Sequence, residues 1–286
     1  MLLRRRKPPA PLGDFIHALY VFEGSAQPHA KERALPDGCA QLIFNLREDR
    51  TWVYDRNNLD SCRTFNGALI VGPQSEYCVI DPADLTSIAG IHFKPGGPSA
   101  LLPVPIHELH NAHVPLDSLW GRFAGEVRER LLAVETPEQR LDVLESTLLV
   151  QALLFERRSR GLKRHPAVSF AIDRFVHGEC SAGSRLDAVA EVVGQTGFSS
   201  KHFIDIFRRE VGLTPKLFCR VRRFQRVLES IAGGREIEWT EVALEAGYFD
   251  QAHFIHDFRA FSGINPSTYV QARPKYPGHV PISRAR

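Results

Sequence analysis

The C-terminal stretch 242–269 decides the fold, and it reads VALEAGYFDQAHFIHDFRAFSGINPSTY. An earlier stretch, 193–215, reads VGQTGFSSKHFIDIFRREVGLTP and follows the same plan. From His202 and His253 onward the two copies run 51 positions apart, and the turn before them is one residue longer in the second copy. A duplication of this kind indicates one supersecondary unit used twice.

Each shared feature of the copies predicts a helix-turn-helix. Gly197 and Gly247 fit the end of a first helix, where the backbone requires a positive φ. Ser199 and Asp250 fit the N-cap of a second helix, because their side chains accept hydrogen bonds from its free amide groups. Phenylalanines four residues apart predict a buried face on that helix. A Gly-x-x-Pro sequence then ends it and begins the next helix. The phenylalanine pairs are Phe203 with Phe207 and Phe254 with Phe258, and the Gly-x-x-Pro sequences are Gly212–Pro215 and Gly263–Pro266.

Residues 185–269, about a third of the chain, resemble the DNA-binding domain of the AraC/XylS family of transcription regulators. The second copy carries the most specific part of this resemblance. The N-terminal part also looks like a small sensor-type domain that precedes this module in a bacterial subgroup. That second resemblance depends on Pro36-Asp37-Gly38-Cys39, Gly72-Pro73-Gln74 and Phe93-Lys94-Pro95-Gly96-Gly97.

The resemblance implies seven C-terminal helices, with two recognition helices about one helical turn of DNA (~34 Å) apart. One monomer would then contact successive major-groove segments of one double-stranded DNA operator. Carried over by position, the DNA-binding residues are Ser200, Lys201, Ile204, Asp205 and Arg208 on the first recognition helix, and Gln251, Ala252, His253, His256 and Arg259 on the second.

Among these residues, Lys201 suits guanine and His256 suits a base edge, whereas Arg208 and Arg259 suit phosphate. Ile204 and Asp205 depart from relatives, which often carry a basic or amide side chain there. Asp205 fits either a contact to cytosine N4 or a salt bridge that does not touch DNA, and Ala252 reaches at most a thymine methyl group. The first helix is therefore expected to read fewer bases than usual.

A linking helix is predicted between the two units, and it carries four arginines within seven residues. Four side chains at this spacing cannot share one helix face, so we expect one or two at phosphate and the others paired or solvated. They are Arg220, Arg222, Arg223 and Arg226.

The remaining sequence predicts an α+β protein. Short apolar strands broken by turn residues occupy about 35–93, typical of a small barrel or cupin-like domain, and amphipathic helices follow over about 117–132 and 137–158. The basic residues 4–7 are expected to form a disordered arm. We predict a β-rich sensor or dimerisation domain over 1–160 and an all-α domain over 161–286, with helix-turn-helix units at about 186–212 and 239–263 and the linking helix at about 215–232.

Charge and cysteine usage bear on the partners. From Gly161 onward the chain carries about 18 basic and about 13 acidic residues, which favours a phosphate-lined partner without proving one. Five scattered cysteines favour reduced thiols in a cytoplasm, and no export signal or membrane span is expected. A small-molecule effector and a homodimer are the partners expected at the N-terminal domain.

No catalytic set, cofactor-binding sequence or metal site is predicted. The histidines of 107–113 do not have the spacing of metal ligands, and turn or capping roles explain Asp37, Cys39 and Asn45 at the rim of the barrel. The leading interpretation is a sequence-specific DNA-binding transcription regulator that is not an enzyme. One alternative is a cupin-like metalloenzyme domain fused to a DNA-binding tail, and another is an effector-free regulator whose N-terminal domain only dimerises.

Overall fold

The computed structural model describes residues 2–25, 31–158, 163–177, 188–232, 237–272, 274 and 276–282. Its β-strands, nearly all in the N-terminal part, are β1 Leu2–Arg6, β2 Ile16–Glu23, β3 Glu32–Ala34, β4 Gln41–Asn45, β5 Arg50–Tyr54, β6 Cys62–Asn66, β7 Ala68–Val71, β8 Cys78–Ile80, β9 Ser87–Phe93, β10 His113–Pro115 and β11 His279–Pro281. They form two antiparallel sheets with the orders β1-β2-β9-β4-β7-β10 and β11-β3-β8-β5-β6. The β-rich N-terminal domain is confirmed.

The first sheet is covered on one face by helices, and this layer is the N-terminal core. Side chains that share this face are almost fully buried, among them Val21, Leu42, Phe44, Ile70 and Ile91. They pack against α2 Phe123–Leu132 and α3 Pro137–Arg158, which follow the single turn α1 Asp117–Trp120. Successive side chains of a strand point to opposite faces of the sheet, so every second residue lies in this core. The other residues of these strands lie on the opposite face.

The N-terminal basic segment is a strand, so the expectation of a disordered arm is wrong. β1 pairs antiparallel with β2 over all five of its residues. Its arginines then contact carboxylates on α3: Arg6 Nη1 lies 2.5 Å from Asp142 Oδ1, and Arg4 Nε lies 3.5 Å from Glu138 Oε1. Sequence reasoning missed this strand because the carboxylates that pair with its arginines lie far along the chain, as Asp142 does at 136 positions from Arg6.

Within its described residues, the C-terminal part contains seven helices, the number that the family resemblance implies. They are α4 Pro166–His177, α5 Ala188–Gln195, α6 Ser200–Val211, α7 Pro215–Ile231, α8 Trp239–Ala246, α9 Gln251–Ser262 and α10 Pro266–Ala272. A separate core of phenylalanines and aliphatic residues from these helices holds them together. The α+β fold class is therefore confirmed.

The predicted turn chemistry of both units is confirmed. Ser199 Oγ accepts a hydrogen bond from the backbone N–H of His202 at 3.4 Å, and Asp250 Oδ1 accepts one from the N–H of His253 at 2.7 Å. The four glycines at the turns and at the C-terminal ends of α6 and α9 have φ between 71° and 98°. They are Gly197, Gly212, Gly247 and Gly263. These caps fix where α6 and α9 begin and end.

The two parts of the chain contact each other closely. α6 lies against the single 3-10 turns at 98–100 and 106–109, and the last strand, β11, returns from the C-terminal domain to pair with β3. A Cβ atom at Gly212 would come within 2.8 Å of the Pro73 side chain, so the end of α6 requires glycine both for its φ of +91° and for this close approach. The first recognition helix is thus fixed to the N-terminal domain.

The cysteines differ from the sequence expectation at one position. Cys39, Cys62 and Cys78 are free thiols, whereas Cys219 on α7 is disulfide-bonded. The expectation of reduced thiols throughout is therefore wrong at Cys219. Cys180 lies outside the described residues.

Candidate nucleic-acid interface

The first recognition helix, α6, presents its candidate residues to solvent. Phe203 and Phe207 are buried on its inner face, where the Phe207 ring contacts the rings of Phe175 and Phe218 at centroid distances of 6.0 and 5.8 Å. All five candidates are exposed, including Ile204 with 36% of its surface accessible; they are Ser200, Lys201, Ile204, Asp205 and Arg208. The buried phenylalanines and the exposed candidates thus lie on opposite faces of α6, as in an amphipathic helix.

The C-terminal end of α6 lies close to the N-terminal domain. Burial, and secondarily the positive charge of Arg208, lower the pKa of His110 below its usual value. His110 in turn lies 2.8 Å from Ser75 Oγ through its Nε2. Arg208 is therefore placed where the N-terminal domain affects its electrostatic surroundings, while Lys201 lies two turns away at the free end.

The second recognition helix, α9, presents four of its five candidates to solvent. Gln251, Ala252, His256 and Arg259 are exposed. His253 differs, because its ring is only half-exposed and lies edge-on to Tyr248 at a centroid distance of 5.3 Å. The structure therefore gives His253 a packing contact in addition to any contact with DNA.

A buried carboxylate anchors α9 to α7, and sequence reasoning missed it. Asp257 is almost completely buried, and its Oδ1 accepts a hydrogen bond from Arg220 Nη2 at 2.6 Å. Arg223 Nη2, His253 Nε2 and His256 Nδ1 lie 4.0, 3.9 and 3.6 Å from the same carboxylate. Its hydrogen bond to Arg220 raises the pKa of that guanidinium. No local pattern distinguishes this aspartate from a solvated one.

Three of the four arginines of α7 are used inside the domain. Besides the Arg220 pair, Arg223 Nη1 donates to the carbonyl of Gly247 at 3.0 Å, and Arg226 Nη2 donates to the carbonyls of Phe175 and Val176 at 3.4 and 3.3 Å. Guanidinium groups that satisfy helix C-terminal carbonyls hold neighbouring helices in fixed positions. α7 thus joins the two units chiefly as a scaffold.

A second candidate region of the N-terminal domain is the one where its two sheets face each other. The side chains of Tyr20, Ile43 and Leu69 share the face of the first sheet opposite to the helices, as their cross-strand pairs through Gly90 show. This face is turned toward the second sheet, because the ring of His113 on β10 lies 6.0 Å, centroid to centroid, from the ring of Phe65 on β6 of the second sheet. We call this region the inter-sheet space.

The inter-sheet space is apolar and strongly desolvated, although several of its side chains remain partly accessible. Burial raises the pKa of Tyr20 and raises that of Cys78 to about 12, and it lowers the pKa of His113 to about 4. All three groups are uncharged at neutral pH. Tyr20, Ile43, Cys78 and His113 are each only half-buried.

The side chains of His110 and His113 have different partners in the structure. His110 bonds to Ser75, and His113 faces Phe65 across the inter-sheet space. Within the described parts of the chain, one set of potential metal ligands lies together, namely Asp37, Cys39 and His92. In those same parts, no helix is long and apolar enough to span a bilayer.

Comparison with known families matches two segments of the chain. Residues 192–272 match a family described as a helix-turn-helix domain. Residues 4–115 match a family described as a domain of unknown function, DUF6597. No curated protein matches the chain.

The chain is also similar to solved structures of ToxT from Vibrio cholerae. A 1.65 Å structure has 12% identity and a TM-score of 0.46, covering 88% of this chain and 97% of that one. ToxT bound to (E)-4-(8-methylnaphthalen-1-yl)but-3-enoic acid gives the same values. ToxT bound to an unsaturated fatty acid has 13% identity and a TM-score of 0.42, covering 88% and 94%.

Proposed function

We propose that this chain is a DNA-binding transcription regulator of the AraC type, and that both of its recognition helices read one operator under the control of the N-terminal domain. The supporting observation is that α6 and α9 are both capped, both packed on one linking helix, and both exposed along their candidate faces. A regulator of this kind acts on duplex DNA, so the proposed location of the chain is the cytoplasm. Its role is regulatory and not catalytic.

Selection of bound sequences from a random duplex pool, followed by footprinting, tests this proposal. Two recognition helices on one face of the duplex are expected to protect an asymmetric site of about two helical turns. Binding that is indifferent to sequence, or protection of a single half-turn, would contradict it.

Substitutions in the two recognition helices are expected to separate base reading from phosphate binding. Lys201→Ala and His256→Ala should each reduce discrimination between the selected site and its mismatches by about 1–3 kcal/mol. Arg208→Ala and Arg259→Ala should weaken all duplexes alike and lower the slope of log K against log salt by about one. Titrations at several salt concentrations measure both effects.

Arg130→Ala is the matched control, because Arg130 is exposed on α2 and the substitution removes the same charge outside the DNA-binding domain. It should change neither quantity. If Lys201→Ala left the preference among sites unchanged, the assignment of Lys201 as a base-reading residue would be wrong.

The inter-sheet space is the proposed effector site. Its lining is mostly apolar, with a few polar groups in low-dielectric surroundings: the Tyr20 hydroxyl bonds to Gln41 Oε1 at 3.2 Å, and Thr51 Oγ1 is buried with no partner among the described residues. Apolar walls with a few directed polar groups are typical of small-molecule sites. We therefore propose a small, largely apolar effector that carries a hydrogen-bonding group.

A fluorescent apolar probe tests this site before the effector is known. Anilinonaphthalene sulfonate is expected to bind the full chain saturably with enhanced emission, and Ile43→Trp or Ile80→Trp, which fill the space from opposite sheets, should reduce that emission by about half or more. Thermal unfolding of each variant shows whether it is folded. Unchanged emission with both folded variants would place the probe elsewhere.

Dimerisation is proposed through the outer face of α3. Leu141, Leu144 and Leu148 are buried against the sheet, whereas four apolar residues remain exposed on the solvent side, with Leu153 at 60%. The exposed residues are Leu149, Val150, Leu153 and Leu154. Apolar residues at this spacing on a helix suit an antiparallel or parallel partner helix of a second copy.

Leu153→Glu is therefore expected to convert a dimer into a monomer in sedimentation-equilibrium experiments, because it places a charge at the centre of the apolar stripe. Glu126→Gln, on the exposed face of α2, is a control that should leave the mass unchanged. A wild-type chain that sediments as a monomer at high micromolar concentration would refute this proposal.

A further inference from the structure

Three side chains of different chemical type converge where the N-terminal domain meets α7. One ligand atom from each of Asp37, Cys39 and His92 lies within 4.8 Å of the other two. The first two belong to a short loop between β3 and β4, and His92 is on β9. In the described residues no other group of three potential ligands comes this close.

The loop conformation directs these ligand atoms toward one another. Asp37 Oδ1 accepts a hydrogen bond from the backbone N–H of Cys39 at 2.8 Å, which leaves Oδ2 to face His92 Nε2 at 2.8 Å. Gly38 between them has a φ of +75°, which the turn requires. His17 lies next to His92, with ring centroids 5.3 Å apart, and it is exposed. A fourth ligand position is thus available to water or to His17.

The chemistry of this set fits a borderline divalent cation. Thiolate, imidazole and carboxylate are the three ligand types that Zn²⁺ takes in proteins, and calcium or magnesium would not select a thiolate. One carboxylate and one thiolate neutralise the charge of a divalent ion, so the occupied site carries no net charge in its half-buried position. Three protein ligands, with water or His17 in the fourth position, complete a tetrahedral site.

The same loop is in contact with the linking helix of the DNA-binding domain. Gln225 Nε2 on α7 donates to the carbonyl of Pro36 at 2.6 Å. A Cβ atom at Gly38 would lie 3.3 Å from the Val221 side chain, and the positive charge of Arg222 acts on Cys39. Any change that fixes the loop therefore acts directly on α7.

We propose that Asp37, Cys39 and His92 bind one Zn²⁺-class ion, which fixes the 36–39 loop of the sensor domain against α7. Binding forms metal–sulfur, metal–nitrogen and metal–oxygen bonds and releases the Cys39 thiol proton to solvent. In the metal-free chain, burial and the Asp37 charge raise the pKa of that thiol, while Arg222 opposes the shift. The hydrogen bond between His92 Nε2 and Asp37 Oδ2 is replaced by their shared ion, and the neutral imidazole then carries its proton on Nδ1.

Cobalt spectroscopy on the full chain tests the site. The chelator-treated protein, free of any affinity tag, is expected to bind one Co²⁺ with the visible absorption of a tetrahedral site and a near-ultraviolet thiolate charge-transfer band, and Zn²⁺ should displace it. Cys39→Ser should abolish the charge-transfer band. His92→Gln and Asp37→Asn should each weaken Co²⁺ binding by about tenfold or more, because each removes a ligand.

Cys62→Ser is the matched control, since Cys62 is an exposed thiol on β6 outside the cluster. It should leave the Co²⁺ spectrum unchanged. A charge-transfer band that survives in Cys39→Ser, or a folded wild-type chain that gives no tetrahedral Co²⁺ spectrum, would overturn the site and leave Asp37 and His92 as a simple hydrogen-bonded pair.

Amide hydrogen exchange tests the connection to α7. Zn²⁺ should slow exchange in residues 215–231 of the wild-type chain and have no such effect in Cys39→Ser. This exchange can be measured even if the variant no longer binds DNA. Equal exchange in α7 with and without the ion, in a chain that binds Co²⁺, would overturn the claim that the ion fixes the loop to this helix.

Discussion

Replacing Asp257 with alanine is expected to lower the free energy of unfolding by about 3 kcal/mol and to abolish operator binding. The substitution removes a buried carboxylate and leaves Arg220 without its 2.6 Å partner. We place the value at the low end of the range for broken buried pairs, because the Arg220 side chain is partly accessible and water compensates some of the loss. Denaturant titration and a binding assay measure the two effects.

Two further variants separate the ion pair from simple loss of volume. Asp173→Ala removes an exposed aspartate on α4 and should change stability by less than about 0.5 kcal/mol. The double variant Asp257→Leu with Arg220→Met replaces the pair with apolar side chains and should recover part of the lost stability. If Asp257→Ala were as harmless as Asp173→Ala, the pair would have no role in holding α9 to α7.

Replacing Phe258 with alanine is expected to cost about 3–5 kcal/mol, the second large effect. Its ring is fully buried between Phe224, Phe254 and Tyr269, with centroid distances of 5.2, 5.7 and 5.7 Å. Truncation leaves a cavity at the point where α7, α9 and α10 meet, and aromatic contacts are lost in addition to buried area. The midpoint of denaturant unfolding reports this change.

Phe249→Ala makes the same chemical change nine positions earlier and serves as the control. Phe249 is 87% exposed at the turn before α9, so its truncation should change stability by less than about 0.5 kcal/mol. Similar losses for both variants would show that the unfolding transition does not report on the core of the second helix-turn-helix unit.

The sequence predicted the C-terminal helices well because their signals are local. Caps, glycine ends and phenylalanine pairs all act within a few residues, and the structure shows Ser199, Asp250 and the turn glycines in those roles. The N-terminal strands β4, β7, β8 and β9 were also predicted, because apolar runs between turn residues mark them. β1 was missed because the carboxylates that pair with its arginines lie on α3, and β11 was missed because its partner strand β3 is remote in the chain.

The candidate sites divide in the same way. The family resemblance assigned Lys201 and His256 to base reading, and the structure shows both side chains as exposed, while their contacts with DNA are proposals. Asp257 was assigned no role, because a buried aspartate paired 37 positions away leaves no local signal. The Asp37, Cys39 and His92 set was not predicted as a site, and Asp37 and Cys39 were assigned turn or capping roles, because 55 positions separate Asp37 from its hydrogen-bonded partner His92.

The sequence by itself determined that this chain carries two capped helix-turn-helix units, because caps, turns and helix faces depend on interactions only a few residues apart. Only the tertiary structure decided which arginines of α7 support the domain, which face of the first sheet remains available, and which side chains from β9 and the 36–39 loop lie together. These features depend on sheet pairing and domain contacts between segments distant in the chain, and such contacts leave no periodic trace in the sequence.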